Sequence, residues 1–450
     1  MQSRRSGRPG PGCSPSGEDR TSSPAPAEGR AAALTGWSPW RVVVGFGVIS
    51  LAADMVYEGA RSVYGPLLGS LGASALVVGA VTGAGEAVAL LLRVVAGPLA
   101  DRTRRYWTFT MVGYAMTAVC VPLLALTPLL GAAGLAVATA LILAERAGKA
   151  VRSPAKSALL ADAAGAVGMG RGLGVHKALD QIGAFAGPLL VAALIAGSDG
   201  DLRPGLAALA VPGALAMALL VLTRRRAPQP AADPPTRAQT TDPARGSSRS
   251  RPERAPRQPL PPSFLRLAAG AALCTAGLVT FGLIGFHIAD LDLLPTAGIP
   301  LLYAAAMAAG ALAALATGEA YDRIGGRVLL ALPLLVAAVP ALAFSRSLTA
   351  VVAGVLLWGA AVGVQDSTVK ALVADLVPRD RRATAYGMFA AVQGVGALVG
   401  GVAAGALYQH SVEALVAVTV VLQVLALALL VDVTRRQQHH SPDPRASTGR

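Results

Sequence analysis

The chain has 450 residues, of which 54% are hydrophobic and only 14% charged, and its mean hydropathy is +0.55. Soluble proteins carry about a quarter charged residues, so this composition excludes a soluble globular domain and indicates a polytopic membrane protein. The formal net charge is +14. Its basic residues cluster in loops and tails beside apolar segments, which indicates membrane topology and not nucleic-acid binding.

Three polar segments divide the chain into domains. Residues 1–36 are rich in Arg, Ser, Pro and Gly and lack the apolar core of a signal peptide, which predicts a disordered tail. Residues 224–262 are dense in Pro, Arg, Ser and Thr, which predicts a flexible basic linker. Residues 434–450 are a second polar tail. Two membrane domains, 37–223 and 263–433, remain between these segments.

Twelve apolar runs occupy these two domains, six in each. They lie near residues 40–68, 74–96, 107–127, 134–152, 174–197, 204–223, 263–289, 295–317, 328–345, 348–370, 384–408 and 412–432. Each is long enough for a helix of ~20 residues across a ~30 Å hydrocarbon core. The predicted fold class is therefore an all-α membrane protein with twelve transmembrane helices in two six-helix bundles.

The arginines indicate how the chain crosses the membrane. Basic residues concentrate in alternate connections, as at 102–105 and 379–382, whereas the opposite connections hold acidic groups such as Asp199 and Asp290. By the positive-inside rule, both termini and the central linker are expected in the cytoplasm. We expect a multi-pass, monomeric protein of the plasma (inner) membrane, in contact with the lipid bilayer and not with nucleic acid.

One short stretch between apolar runs occurs twice. Gly97-Pro-Leu-Ala-Asp101-Arg102-Thr-Arg104-Arg105 returns as Gly318-Glu-Ala-Tyr-Asp322-Arg323-Ile-Gly325-Gly326-Arg327. Glycine lets helix ends approach closely, aspartate can cap a helix, and the arginines hold the loop at the cytoplasmic face. The first copy resembles the signature loop between the second and third spans of the major facilitator superfamily. The second resembles the degenerate copy between spans eight and nine.

These loops are predicted to be conformational latches that do not bind substrate. The residues concerned are Gly97, Asp101, Arg102 and Arg105 in the first loop, and Gly318, Asp322, Arg323 and Arg327 in the second.

The two halves also repeat each other in their glycines. The first copy is Gly174, Gly183 and Gly187, and the second, 213 positions later, is Gly387, Gly396 and Gly400. A parallel repeat of six spans is what the resemblance to the superfamily implies, with the substrate site between the halves near the membrane midplane.

The first glycine set, followed by Pro188, resembles the fifth-span motif of antiporter members of the superfamily. Glycines at Gly174, Gly183 and Gly187 permit close helix contact, and Pro188 bends the helix. Two interpretations therefore stay open: a small-residue packing face and a marker of antiport.

Charged side chains within the spans are the candidates for chemistry. A charge that faces lipid at mid-helix costs roughly 2.5–3.5 kcal/mol on insertion scales, so such groups should face a cavity or each other. Asp54, Glu58 and Glu86 are candidate proton carriers, because a buried carboxyl beside a cation can titrate near neutral pH. The alternative is that Asp54 or Glu58 forms a permanent ion pair with Arg61.

A second charged group lies in spans four and five. The segment 145–156 resembles the fourth span and following loop of bacterial members of the superfamily, which implies a proton-coupling role for Arg146. Glu145, Lys149, Arg152 and Asp180 are predicted to form a structural gate network near the cytoplasmic side.

We therefore predict secondary active transport of a small solute by alternating access, coupled to protons. Antiport efflux is favoured by the fifth-span motif, and proton-coupled uptake of a polar metabolite by the charged first half. A non-transporting receptor on the same fold is a further alternative. No ATP-binding pattern Gly-x4-Gly-Lys-Ser/Thr occurs, and the cysteines Cys13, Cys120 and Cys274 indicate no metal site. We expect neither a cofactor nor an enzyme.

Overall fold

The computed structural model describes residues 37–227, 260–377 and 381–440. The predicted tail 1–36, nearly all of the predicted linker and the last ten residues lie outside the described residues. Helices continue past two of the predicted domain ends, to Arg226 and to His440. The second extension carries an ion pair one turn apart, with 2.9 Å between Arg436 Nε and Asp432 Oδ1.

The first half consists of helices joined by short turns. They are α1 (Pro39–Arg61), α2 (Tyr64–Ser70), α3 (Ala75–Thr103), α4 (Tyr106–Leu123), α5 (Gly134–Val167), α6 (Met169–Ala196), α7 (Leu202–Ala208) and α8 (Ala210–Arg226). A 3-10 segment, Leu124–Ala133, joins α4 to α5.

The second half has the same organisation. Its helices are α9 (Pro262–Gly277), α10 (Phe281–Asp290), α11 (Gly298–Ile324), α12 (Ala331–Ala343), α13 (Leu348–Leu376), α14 (Arg382–His410) and α15 (Val412–His440). A 3-10 segment, Gly325–Leu330, joins α11 to α12.

Ten helical segments of the described chain are apolar and long enough to cross a membrane. Two of them, Tyr106–Val167 with 62 residues and Gly298–Ala343 with 46, are long enough to cross twice. Each is divided by one of the 3-10 segments. Counting these two segments twice gives the twelve predicted spans, and the all-α membrane fold is confirmed.

In each half the first predicted span consists of two helices. The first span breaks between α1 and α2, where the Ser62 hydroxyl donates to the Gly59 carbonyl at 2.6 Å. The seventh breaks between α9 and α10, where the Thr280 hydroxyl accepts a bond from the Leu283 amide at 3.4 Å. In both cases a hydroxyl replaces backbone hydrogen bonds at a helix end. Each break lets a short helix turn toward the other half.

The helices pair in the same way in both halves. In each half the first span packs against the fifth and the sixth, and the second and third spans pack against the fourth. Across the halves, α3 packs on α14 and α6 on α11, so each second span meets the other half's fifth span. This reciprocal pairing confirms two pseudo-symmetric six-helix bundles. At the α3–α14 contact, a Cβ on Gly79 would lie 2.3 Å from the Gly401 carbonyl oxygen.

Two of the repeated glycines make the contact between α6 and α1. A Cβ on Gly183 would lie 2.2 Å from the Leu51 carbonyl oxygen, and one on Gly187 would lie 2.2 Å from that of Met55. No real Cβ approaches backbone so closely, so only glycine allows this helix spacing. Around Gly174, by contrast, no atom of the described chain lies within 4 Å of the Cβ position. The close packing therefore depends on Gly183 and Gly187.

The second half repeats this contact between α14 and α9. A Cβ on Gly396 would lie 2.7 Å from the Ala272 carbonyl oxygen, and one on Gly400 would lie 2.2 Å from that of Ala276. The glycine repeat read from the sequence therefore corresponds to one helix-packing device used twice.

We expect Gly183→Ala to lower the thermal unfolding temperature of the protein in detergent, because the added methyl group forces α6 away from α1. Overpacking of this kind costs about 1–3 kcal/mol. Gly174→Ala, in the same helix but in open space, is the matched control and should leave the temperature unchanged. Equal stability of the two variants would contradict the packing role.

Candidate functional site

A cavity of about 560 Å³ lies between the two bundles. Its wall comes from α1, α3, α5 and α6 of the first half and from α9, α11, α13 and α14 of the second. The charged side chains that line it are Asp54, Glu58, Arg61, Glu86, Arg93, Lys149, Arg152, Lys156, Lys177, Asp180 and Asp366. All but Asp366 belong to the first half. The prediction that ionisable groups of the first bundle face a shared chamber agrees with this lining.

The cavity is closed at one end by contacts between the halves. There the Thr82 and Thr280 hydroxyls are hydrogen-bonded at 2.7 Å, and a Cβ on Gly65 would lie 2.1 Å from the Gly282 carbonyl oxygen. The cavity opens toward the other end, which we call the basic end because it carries residues 102–105. Lys177 lines the cavity on that side with 66% of its side chain exposed.

Two carboxylates near the closed end, those of Glu58 and Glu86, form ion pairs with Arg61. Arg61 Nη2 lies 2.7 Å from Glu86 Oε1, and Arg61 Nη1 lies 3.8 Å from Glu58 Oε2. The Tyr303 hydroxyl, from α11, donates to Glu58 Oε2 at 2.5 Å. The Glu58–Arg61 ion pair, which the sequence left open as an alternative, is therefore formed in the structure. Through Tyr303, Glu58 also connects the two halves.

Arg146 lies behind the cavity wall. It is 3% exposed, donates to the Tyr57 hydroxyl, and has its guanidinium carbon 4.6 Å from the centre of the Tyr57 ring. Its Nη2 lies 3.6 Å from Glu86 Oε1, and its Nε lies 3.7 Å from Oε2 of the fully buried Glu145. Arg146 therefore contacts the buried Glu145, the cavity-lining Glu86 and the Tyr57 ring at once.

Asp54 and Asp180 form a carboxyl pair in the cavity wall. Their side chains, on α1 and α6, lie close enough to interact electrostatically. Arg152 Nη2 lies 3.9 Å from Asp54 Oδ1, and Lys177 Nζ lies 2.7 Å from Asp180 Oδ2. Two acidic and two basic side chains therefore meet in this part of the cavity wall.

A polar chain continues from this pair toward the basic end. The Lys156 ammonium donates to the Ser50 hydroxyl at 3.0 Å, and the same hydroxyl lies 3.0 Å from His176 Nε2 and 3.3 Å from the Tyr114 hydroxyl. On the other side of the wall, Thr117 accepts a bond from Arg152 and donates to Glu145 at 3.3 Å.

The second half contributes a mainly neutral wall. Gln365 Nε2 and Gln393 Nε2 lie 3.1 and 3.3 Å from the Thr275 hydroxyl oxygen. The Trp358 indole, which also lines the cavity, donates to the Val279 carbonyl at the break between α9 and α10. This wall supplies hydrogen-bonding groups without formal charge, apart from Asp366.

From the sequence, the proton-carrier candidates and the gate network were expected at two different depths in the membrane. In the structure, residues of the two groups lie at the same depth and contact each other. Arg152 of the predicted gate contacts Asp54 of the predicted carriers, and Asp180 contacts the same carboxyl. The reason is that helices α1, α5 and α6 pack together and run past one another, so that residues far apart in the chain reach the same level. One continuous cluster replaces the two groups.

Sequence reasoning missed the aromatic partners of this cluster. The Tyr57 hydroxyl accepts a hydrogen bond from Arg146, and the Lys149 ammonium lies 3.4 Å from the centre of the Tyr57 ring. Tyr303, from the other half, donates a hydrogen bond to Glu58. The signal available for Tyr57 was its position beside Glu58 in a span that already carries charges.

The two predicted latch loops lie exposed at the basic end. Asp101 accepts a hydrogen bond from the Tyr106 hydroxyl at 3.1 Å, and Arg323 is paired with Glu319 one turn earlier. Arg104 and Gly325 have positive φ values of 54° and 63°, which produces the sharp turn in each loop. Their role as latches stays a prediction.

We expect Arg146→Gln to lower the free energy of unfolding by about 3 kcal/mol or more, because it leaves Glu145 buried without its counter-charge. The double variant Glu145→Gln/Arg146→Gln removes both charges and should be more stable than Arg146→Gln alone. Thermal unfolding in detergent measures both. Losses that simply add in the double variant would contradict the pairing.

Most of the chain is similar to known proteins. The family model described as Major Facilitator Superfamily matches residues 46–291 and 294–449. The chain is 49% identical over 394 residues to the uncharacterized protein Rv2265 of Mycobacterium tuberculosis (strain ATCC 25618 / H37Rv), covering 87% of this chain and 93% of that protein.

Solved structures share the fold at low sequence identity. A variant of the nucleoside transporter NupG aligns with a TM-score of 0.65 and 14% identity, over 88% of this chain and 99% of its own. A bacterial homolog of the human lysosomal transporter Spinster, inward-facing and occupied, aligns with a TM-score of 0.64 and 17% identity, over 91% and 100%. With the family match across both halves, the chain belongs to the Major Facilitator Superfamily and is a multi-pass membrane transporter of that family.

Proposed function

We propose that the protein is a proton-coupled secondary active transporter of a small polar solute, and that the Asp54–Asp180 pair carries the proton. The supporting observation is that these two carboxyls lie together in the wall of the central cavity, with Arg152 3.9 Å from Asp54 and Lys177 2.7 Å from Asp180. Two carboxylates in contact repel each other, so such a pair keeps one proton and can exchange it with the cavity. The neighbouring cations Arg152 and Lys177 stabilise the pair after it has lost the proton.

Glu58 and Glu86 are less suited to carry the proton. Glu86 lies 2.7 Å from Arg61 and 3.6 Å from Arg146, so two guanidinium groups hold it as a carboxylate. Glu58 accepts from Tyr303 at 2.5 Å and serves as a link between the halves. Arg146 contributes to coupling by holding Glu86 and Tyr57 in place, which agrees with the role that the resemblance implies for it.

The arrangement of the halves supports alternating access. The contacts that close one end of the cavity join side chains of different bundles, as in the Tyr303–Glu58 and Thr82–Thr280 bonds. Rocking of one bundle against the other would break these contacts and close the basic end. We infer that the basic end faces the cytoplasm, with both termini on that side of the plasma membrane, and that a monomer completes the cycle.

The direction of transport has two candidates. Antiport efflux is supported by the resemblance of Gly174, Gly183, Gly187 and Pro188 to a fifth-span motif, but the contact of α6 with α1 accounts for two of these glycines. Proton-coupled uptake is supported by the charged, polar cavity. The two directions can be distinguished with purified protein in vesicles that contain a pH-sensitive dye. Antiport moves protons opposite to the solute and symport moves them with it, so solute movement changes the internal pH in opposite senses. A receptor would bind solute without any flux.

We expect Asp54→Asn to abolish accumulation driven by a proton gradient while leaving counterflow exchange near the wild-type rate, because exchange needs no net proton movement. The measurement uses vesicles and a panel of radiolabelled sugars, organic acids, amino acids and nucleosides, and follows whichever member wild-type protein accumulates. Glu86→Gln is the comparison and should reduce both rates together. Driven accumulation that survives in Asp54→Asn would remove this residue from the proton path.

For the loop at the basic end, we expect Asp101→Asn to slow the transport cycle and to leave the equilibrium affinity for the solute nearly unchanged. The loop does not line the cavity, and the substitution removes the loop charge and weakens the hydrogen bond from Tyr106. A rate measurement and a binding measurement on the same preparation test this. A large loss of affinity would contradict a latch.

A further inference from the structure

The cavity carries a surplus of positive charge. Its basic side chains are Arg61, Arg93, Lys149, Arg152, Lys156 and Lys177, and its acidic ones are Asp54, Glu58, Glu86, Asp180 and Asp366. Six basic side chains therefore face five acidic ones.

Three of the cations have no carboxylate within 4.0 Å in the described part of the chain: Arg93, Lys149 and Lys156. The Lys149 ammonium rests on the ring of Tyr57, and Lys156 donates to Ser50. The buried Nε of Arg93 has no hydrogen-bond acceptor among the described residues. Asp366, on the opposite wall, acts on Arg93 only from beyond ion-pair distance.

Unpaired cations inside a membrane are costly, and they are characteristic of substrate paths. Glu86 and Arg93 are seven residues apart on α3 and therefore share a face. Since Arg61 and Arg146 already neutralise Glu86, the guanidinium of Arg93 is available to a ligand. Arginine binds carboxylate or phosphate through two parallel N–H groups, and lysine adds a point charge.

The opposite wall offers a complementary group. Oε1 of Gln365 is buried and has no hydrogen-bond partner in the described chain, while its Nε2 is engaged with Thr275. A buried acceptor without a donor costs free energy, and a hydroxyl of a ligand would satisfy it. The ligand therefore needs a negative charge on the side of the first half and a hydrogen-bond donor on the side of the second.

We propose that the transported solute is a small hydroxylated organic anion, a carboxylate or phosphate ester, whose acidic group binds Arg93 and Lys149 and whose hydroxyls reach Gln365. This inference rests on the proposed function, because it takes the central cavity as the transport site. The cavity volume of about 560 Å³ accommodates a molecule of this kind.

Three probes with one six-carbon hydroxylated skeleton test the charge requirement: gluconate is an anion, sorbitol is neutral and glucamine is a cation. Binding is measured by calorimetry and by thermal unfolding on protein in phosphatidylcholine nanodiscs, without any gradient. We expect gluconate to bind at least about tenfold more tightly than sorbitol, since one charge-assisted hydrogen bond is worth about that factor. Glucamine should bind more weakly than sorbitol.

Variants then locate the binding site. Arg93→Gln and Lys149→Gln should each weaken gluconate binding about tenfold or more, with unfolding temperatures of the free protein close to wild type. Arg203→Gln is the matched control, because Arg203 lies outside the cavity and is paired with Asp201 at 2.7 Å. It should leave gluconate binding unchanged.

Four results would overturn the proposal. The first is that sorbitol or glucamine binds as tightly as gluconate, and the second is that neither gluconate nor glycerol 3-phosphate, a phosphate-ester probe, binds. The third is that both variants leave gluconate binding unaffected, and the fourth is that added phosphatidylglycerol abolishes gluconate binding. The last result would assign the site to an anionic lipid headgroup. Because these measurements use no gradient, gluconate binding without proton-coupled flux would count against the proposed function alone. Proton-coupled flux of a neutral solute would count against the anion alone.

Discussion

Charge buried inside a membrane must be neutralised, and this constraint organises the first half of the protein. Glu145 and Arg146 are at most 3% exposed, and each charge is tolerated only because the other lies 3.7 Å away. From that pair the contacts run outward through Tyr57 and Glu86 to the cavity surface. These contacts join the helices α1, α3 and α5. Rigid support of this kind suits the proposed proton site, because small displacements would change how two carboxyls share a proton.

The second constraint is the close approach of helices, and glycine satisfies it. Gly183 and Gly187 let α6 touch α1, and Gly396 and Gly400 let α14 touch α9. Each bundle is thereby a compact unit. Between the bundles, α3 and α14 meet at another glycine-lined surface, where Gly79 faces Gly401. Contacts between small residues suit a rocking motion, because they let the two helices slide at close range.

Much of the fold could be predicted from the sequence, and much of the site could not. The spans and the two halves could be predicted because they depend on local composition. The signals were apolar runs of membrane length, basic residues in alternate loops and repeated glycines. The depth of Asp54 relative to Arg152 depends on how three helices slide past one another, which no local pattern encodes. The same holds for the hydrogen bond from Tyr303 to Glu58, whose residues lie 245 positions apart. The helix breaks after Arg61 and Gly277 were missed because their apolar composition continues through them.

The proposed transport cycle depends on a proton held between Asp54 and Asp180. The most direct measurement is infrared difference spectroscopy of the protein in lipid as the pH is cycled, which detects the C=O stretch of a protonated carboxyl. We expect a titrating carboxylic-acid band in the wild type and in Glu86→Gln, and its loss in both Asp54→Asn and Asp180→Asn. A band that is unchanged in those two variants, or that is absent from the wild type at every pH, would contradict the account.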